Sequence, residues 1–197
     1  MELWFDLASN YSYLTLMRID RLAQEAGVAV RWEPFLLGPI FEAFGWKSSP
    51  FVIQKEKGAY VWKDMERQAT KYGVPWKKPS RFPQNSVLPV RVALLGRDEP
   101  WTHAFCKAMA LANFAEDRDI STVETVREVL ESLALPAADI LARAQSPEEK
   151  PKLRAQVERA RALGIFGAPT FFVDGEMYWG NDRLDDAVEA ARRRAAR

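Results

Sequence analysis

The sequence predicts an α/β protein whose small sheet is assembled from the two ends of the chain, with an all-helical insertion between them. Three observations predict this. The first 35 residues alternate strand, helix and strand; residues from 147 onward alternate helix, strand, strand and helix; the stretch between carries helical periodicity and no convincing strand.

Residues 2–7 put Leu3, Phe5 and Leu7 on one face of a short strand, and Ala8, Ser9 and Asn10 form a polar turn. Over residues 11–26, Leu16, Ile19, Ala23 and Ala26 recur at helical intervals for about four turns, and Gly27 supplies a left-handed stop. Val28, Val30 and Trp32 then alternate with Arg31 and Glu33 into a second strand ending near Pro34. Such a β-α-β unit is parallel with a right-handed crossover. At the far end, residues 147–163 read as a helix. Thr170-Phe171-Phe172-Val173 and Glu176-Met177-Tyr178-Trp179 flank Asp174-Gly175, a type I′ hairpin signal. Asn181 or Asp182 can cap a last helix that turns Leu184, Ala187, Val188 and Ala191 inward. Between these ends, residues 58–72, 100–115, 122–133 and 137–144 read as helices, with an irregular loop at 76–83. The expected division is a discontinuous domain of residues 1–37 and 147–197, and an insertion of residues 38–146.

With 197 residues, 48% of them hydrophobic, the chain can bury a core without staples. Lys and Arg total 28 against 27 Asp and Glu, so the net charge of +1 removes the electrostatic case for nucleic acid or an anionic membrane as partner. The single cysteine, Cys106, excludes an internal disulfide and dithiol redox chemistry. With only His103 beside it, a His/Cys metal cluster is excluded too, and no metal is expected. Cys106 reads as a small core residue, and nothing near His103 in sequence would orient it as a base. The N-terminus shows no basic region followed by an apolar run, and no stretch of ~18 apolar residues occurs, so a soluble cytoplasmic protein is expected. Seven Trp, five Tyr and eleven Phe suggest flat apolar walls in a core or pocket.

Three local patterns carry chemistry. The turn Ser9-Asn10-Tyr11-Ser12 opens a helix, where free N–H groups and the helix dipole favour an anion. Ser9 is most simply an N-cap. Gly167-Ala168-Pro169-Thr170 sets a proline directly before an apolar strand, which suits a cis X-Pro turn with an open backbone edge at Ala168. Trp179-Gly180-Asn181-Asp182 ends a strand and starts a helix with polar residues whose N–H groups can bind a carboxylate.

A β-α-β plus β-β-α layout with a helical insert resembles the thioredoxin superfamily. A redox member would carry two cysteines in the Ser9-to-Ser12 turn; serine keeps the anion-binding geometry and removes the sulfur. The three patterns together resemble the kappa-class glutathione transferases and, more closely, the bacterial 2-hydroxychromene-2-carboxylate isomerases. The most specific stretches are 5–14, 166–172 and 179–184, with weaker support at Lys57-Gly58-Ala59-Tyr60 and Arg81-Phe82-Pro83-Gln84-Asn85. The resemblance implies glutathione as cofactor. Ser9 would donate to its sulfur, Ala168 would pair its backbone with the cysteinyl unit before Pro169, and Trp179, Gly180, Asn181 and Asp182 would hold the γ-glutamyl end, Asp182 against the ammonium group. It also implies a homodimer and an aromatic, carboxylate-bearing substrate. For that substrate Lys57, Arg67 and Asn85 are the candidate polar contacts, with Trp46, Trp62 and Phe82 as apolar walls.

The implied reaction is reversible addition of a thiolate. A free cysteine thiol titrates near ~8.5, and bringing it down to near neutrality takes roughly 1.4 kcal/mol per pH unit, within reach of a hydroxyl and a helix N-terminus. The chain departs from the family at Asn10, where proline commonly follows the serine, and at Trp46, where an asparagine often follows the glycine. Two other functions fit the same layout: a transferase that conjugates glutathione to electrophiles, and a non-catalytic peptide-binding module.

Overall fold

The computed structural model describes residues 1–195; the last two positions of the expected 147–197 segment lie outside the described residues. Strand β1 (Glu2–Phe5) lies at the centre of a four-stranded sheet, parallel to β2 (Arg31–Pro34) and antiparallel to β3 (Thr170–Val173), which pairs antiparallel with β4 (Glu176–Trp179). The sheet order β2-β1-β3-β4 joins the two chain ends, with Leu3 opposite both Trp32 and Phe171. Asp174 and Gly175 both take positive φ, 47° and 83°, as a type I′ hairpin turn requires.

Helix α1 (Asn10–Ala26) starts where Ser9, in extended conformation, accepts the Ser12 N–H at 3.2 Å. It ends at Gly27, φ 66°, and the N–H of Val28 closes back on the Ala23 carbonyl at 2.9 Å. Because Val28 is spent on that closure, β2 begins only at Arg31, three residues later than alternation suggests. The insert holds α2 (Gly38–Ala43), α3 (Pro50–Ile53), α4 (Lys55–Tyr72), α5 (Val87–Leu95), α6 (Thr102–Phe114), α7 (Val123–Ser132) and α8 (Ala137–Gln145). Helices α9 (Lys150–Ala162) and α10 (Leu184–Ala195) flank the hairpin. The four helices read in the insert are present as α4, α6, α7 and α8. Periodicity does not reveal α2 and α3, which are under two turns, or α5, which is apolar nearly all round and so shows no stripe.

Sheet and insert share one core. Helix α1 packs against α4, α6 and α10, while α5 touches β2. Trp4, Trp32, Tyr13 and Phe114 are fully buried there, so much of the aromatic content is core rather than pocket wall. Glu33, read from alternation as a polar partner to Arg31, is completely buried. Its carboxylate meets Arg31 at 2.6 Å, Gln156 at 2.7 Å, Arg159 at 3.1 Å and Arg97 at 3.2 Å, which ties α9 over the sheet. A buried carboxylate is tolerable only with such partners.

Candidate active site

The β1–α1 turn that presents Ser9 is held from several sides. Asp6, at the end of β1 and 4% exposed, takes the Ala8 N–H at 2.9 Å and the Ser86 hydroxyl at 2.6 Å on one oxygen, and the Leu37 N–H at 2.8 Å on the other. Its backbone carbonyl also accepts the Ser9 N–H at 3.0 Å. Burial pushes the Asp6 carboxyl above the ordinary aspartate range, and the three hydrogen bonds pull part of the way back. Asn113 of α6 donates to the Leu7 carbonyl at 3.2 Å, and Gln84 in turn donates to Asn113 at 3.0 Å. A turn anchored to the loop after β2, to the loop before α5 and to α6 is rigid enough to aim one hydroxyl.

That hydroxyl points across to the other chain end. Ser9 Oγ donates to the Ala168 carbonyl at 3.1 Å while it accepts from Ser12. The Ala168–Pro169 bond is cis, as the sequence predicts. The Pro169 carbonyl accepts the Gly180 N–H at 2.9 Å and so pins the end of β4 beside Ala168. A Cβ on Gly167 would run into Nε1 of Trp179, so the close approach of that indole requires glycine. Trp179 is 53% exposed, with its ring edge-on to Phe166 at 4.8 Å.

Residues Asn181–Arg183 form a 3-10 turn ahead of α10, and the amides that open such a turn have no carbonyl partner within it. The Asn181 side chain is buried and turned inward: its Oδ1 accepts from Thr15 and from Arg18, both at 3.2 Å. Asn181 therefore supports the turn on α1 with its carboxamide oxygen. Asp182 is open to solvent, paired only with Arg183 at 3.1 Å among the described residues.

These elements border a cavity of about 1150 Å³, above the ~300–1,000 Å³ of an ordinary small-molecule site, so a tripeptide and a second ligand both have room. Ser9, Ala168, Trp179, Gly180, Asn181 and Asp182 all line it. From the insert, Lys57, Asn85, Trp46 and Phe82 line it as well. Pro169 does not, and acts through its neighbours. Arg67 is the exception among the substrate candidates. It is exposed on α4 beside Glu66, Thr70 and Lys71, away from the cavity, because it falls off the edge of the stripe formed by Lys57, Val61, Asp64 and Gln68. Trp62 stands behind the wall, edge-on to Phe82 at 4.8 Å and stacked on Trp76.

Sequence reasoning missed Asp6, Ser86 and a second polar pair, Tyr11 and Asp64. Tyr11 donates to Asp64 at 2.7 Å inside the cavity, and burial together with that carboxylate pushes the phenol well above its usual range. A polar Asp6 closing an apolar strand just before the Ser9 turn was the available signal; for Asp64, helical spacing from Lys57 was. His103 lies outside the cavity, stacked on Trp32 at 4.1 Å with its Nδ1 3.3 Å from Asp20, so tertiary contacts orient it where sequence neighbours do not. Cys106 is buried in the core, and burial raises its thiol far above the ordinary value. Among the described residues no group of three or more His, Cys, Asp or Glu is placed to hold a metal ion. No described helix is long and apolar enough to cross a membrane.

A serine-capped helix facing a cis-proline turn on a four-stranded mixed sheet defines a class, and the chain belongs to the DSBA-like thioredoxin domain family, whose model matches residues 1–192. Within it the chain is similar to proteins named 2-hydroxychromene-2-carboxylate isomerase. The one from Sphingobium xenophagum is 30% identical over 94% of both chains. A solved structure of 2-hydroxychromene-2-carboxylate isomerase covers all of this chain and 95% of its own, with 28% identity and a TM-score of 0.87. The chain is also 24% identical to glutathione S-transferase kappa 1 of Rattus norvegicus, over 94% of this chain and 87% of the other.

Proposed function

We propose that this protein is a glutathione-dependent cis-trans isomerase acting on 2-hydroxychromene-2-carboxylate or a related intermediate of aromatic-compound degradation. The observation that carries the reading is the 3.1 Å approach of the Ser9 hydroxyl, at a helix N-terminus that has no cysteine, to the Ala168 carbonyl on the wall of a large cavity. The donor set fits the tripeptide. A hydroxyl, the carbonyl it meets before a cis proline and the first amides of a 3-10 turn border the cavity, and an exposed carboxylate, Asp182, follows them. Bound glutathione supplies a sulfur anion able to add to a conjugated system and leave it, so that a double bond is single for as long as a rotation takes.

The protein's own residues make that anion available and place the substrate. Ser9 donates to the sulfur, and the first-turn amides of α1 with their dipole favour negative charge there. The Ala168 carbonyl accepts the cysteinyl N–H in strand-like fashion. The Asn181 and Asp182 amides hold the γ-glutamyl carboxylate, and the Asp182 carboxylate faces its ammonium group. Trp179 covers this end. On the insert side Lys57 balances the substrate carboxylate, Asn85 hydrogen-bonds it, and Trp46 and Phe82 flank the ring system. Arg67, outside the cavity, has no part in the proposal. In this division residues 1–37 and 147–197 present the thiol and residues 38–146 present the substrate. The cytoplasm, whose glutathione pool is held reduced, suits such a site, and the family resemblance supports a homodimer.

The test is conversion of 2-hydroxychromene-2-carboxylate, followed spectroscopically with and without glutathione while free thiol is counted. Conversion that needs glutathione and leaves its amount unchanged is the expected result. Conversion without glutathione overturns the reading. Stoichiometric thiol consumption favours a conjugating transferase, the second reading, which the likeness to the rat kappa enzyme supports.

A further inference from the structure

We infer that Asn10 is a second hydrogen-bond donor to the sulfur anion of the bound thiol, beside Ser9; the inference rests on the glutathione reading above. Asn10 is the first residue of α1, only 1% exposed, and it lines the cavity. Its Nδ2 is buried and has no hydrogen-bond partner among the described residues. The other buried polar side chains of this wall each have a hydrogen-bond partner among the described residues. Asp6 holds Ala8, Leu37 and Ser86, Ser9 spans Ala168 and Ser12, and the Asn181 oxygen holds Thr15 and Arg18.

A buried amide donor left unpaired is costly, and folded proteins nearly always supply it with an acceptor. Ser12 Oγ also lacks a partner, yet Ser12 does not line the cavity and cannot meet a ligand there. Asn10 does line it, one residue from the hydroxyl assigned to the sulfur. A serine hydroxyl has one proton to give, whereas a sulfur anion accepts several hydrogen bonds, so a second side-chain donor beside Ser9 and the α1 amides adds to its stabilisation. The carboxamide turns about a soft terminal torsion, which lets the N–H₂ end be directed at a ligand. Proline, common at this position in the resembling families, has no donor to offer, so the second donor is a property of this chain's own residue.

The experiment titrates bound glutathione by thiolate ultraviolet absorbance and measures affinities for glutathione and for S-methylglutathione by calorimetry, in the wild type, N10A and N10D. Both substitutions keep the backbone N–H of residue 10. Aspartate also suits a first helical turn, so N10D is expected to fold even if N10A is impaired. In N10A the titration midpoint of the bound thiol is expected to rise by about one pH unit and glutathione affinity at neutral pH to fall about tenfold. S-methylglutathione affinity is expected to stay unchanged, because the thioether carries no charge. N10D, which puts a carboxylate beside the anion, is expected to raise the thiol pKa further. In the wild type, the Asn10 side-chain amide resonances should move on adding glutathione and hold still with S-methylglutathione. Unchanged thiol titration in both variants, or equal loss of both ligands, overturns the inference while the glutathione reading stands. Failure of the wild type to bind either ligand overturns both.

Discussion

Ser9 and Ala168, 159 residues apart in the chain, are joined by a 3.1 Å hydrogen bond from the serine hydroxyl to the alanine carbonyl. Under the proposed function both atoms have other work: the hydroxyl donates to a sulfur and the carbonyl accepts a ligand N–H. A hydroxyl with one proton cannot serve the carbonyl and the sulfur together. Ligand binding therefore exchanges the bond: the N–H takes over the carbonyl as the hydroxyl turns to the sulfur. The resting contact keeps the donor aimed at the site until then.

Replacing Ser9 with alanine separates the two roles. S9A is expected to lower kcat by about 10²-fold, the cost typical of one donor removed from a developing or bound anion. S-methylglutathione should bind S9A at least as well as the wild type, because the Ala168 carbonyl no longer has a competing donor. Steady-state kinetics together with calorimetry check both; a thioether affinity that collapses in S9A contradicts the exchange.

Asp182 has a side chain 72% exposed, so its attraction for a ligand ammonium is screened and worth at most about 1 kcal/mol. D182N is accordingly expected to raise KM for glutathione about fivefold, with kcat unchanged, and the difference should shrink as salt is added. A change in kcat at saturating glutathione would place Asp182 nearer the chemistry than this.

The Asp6 carboxyl titrates above the ordinary aspartate value of 3.8 because it is buried. A group whose folded-state pKa is raised adds stability that is complete below the unfolded value and is lost as pH rises through the folded one. The stability difference between wild type and D6N, measured by denaturant unfolding, should thus move against the wild type as pH climbs from about 4, then level off. D6N also sets an amide donor among groups that donate to Asp6, at a cost of about 1–3 kcal/mol. A difference flat in pH would mean that Asp6 ionises as freely in the fold as outside it.

Lys57 lines the cavity, and Arg67 on the same helix does not. K57A is expected to raise KM for the carboxylate substrate about fivefold and to leave glutathione affinity alone, since Lys57 is exposed and a solvent-screened charge contact is worth at most about 1 kcal/mol. R67A should match the wild type in both. Equal effects from the two substitutions would point to a general field rather than a contact.

At Gly167 an added methyl collides with the Trp179 indole. G167A should still fold, because Trp179 is half open to solvent and can swing outward, but glutathione affinity should fall as the covering ring is displaced. Tryptophan fluorescence and calorimetry on the same samples report both changes.

The parts of the site legible along the chain are those whose chemistry is local. Ser9 before a helix, a proline before an apolar strand, and the Asn181-Asp182 pair opening the last helix each carry their signal within a few residues, and the structure sets Ser9, Ala168, Asn181 and Asp182 along one cavity wall. Asp6 is visible in sequence only as a carboxylate ending a strand. Its roles depend on Leu37 and Ser86, 31 and 80 positions away. Asn113 reaches Leu7 across 106 positions. Arg67 escapes sequence reading for a related reason: composition marks it as a cation beside Lys57, while the helical phase of α4, evident only once the stripe facing the cavity is known, turns it away.

The two terminal units, the hairpin and the residue types along the cavity wall all follow from residue order, because strand alternation, helix capping and turn chemistry act between near neighbours. It took the packed fold to settle which polar side chains hold the Ser9 turn, which insert residues reach the cavity, and that the Asn10 amide is left without a partner there. Those outcomes depend on which distant surfaces meet, and packing is a property of the whole core rather than of any window along the chain.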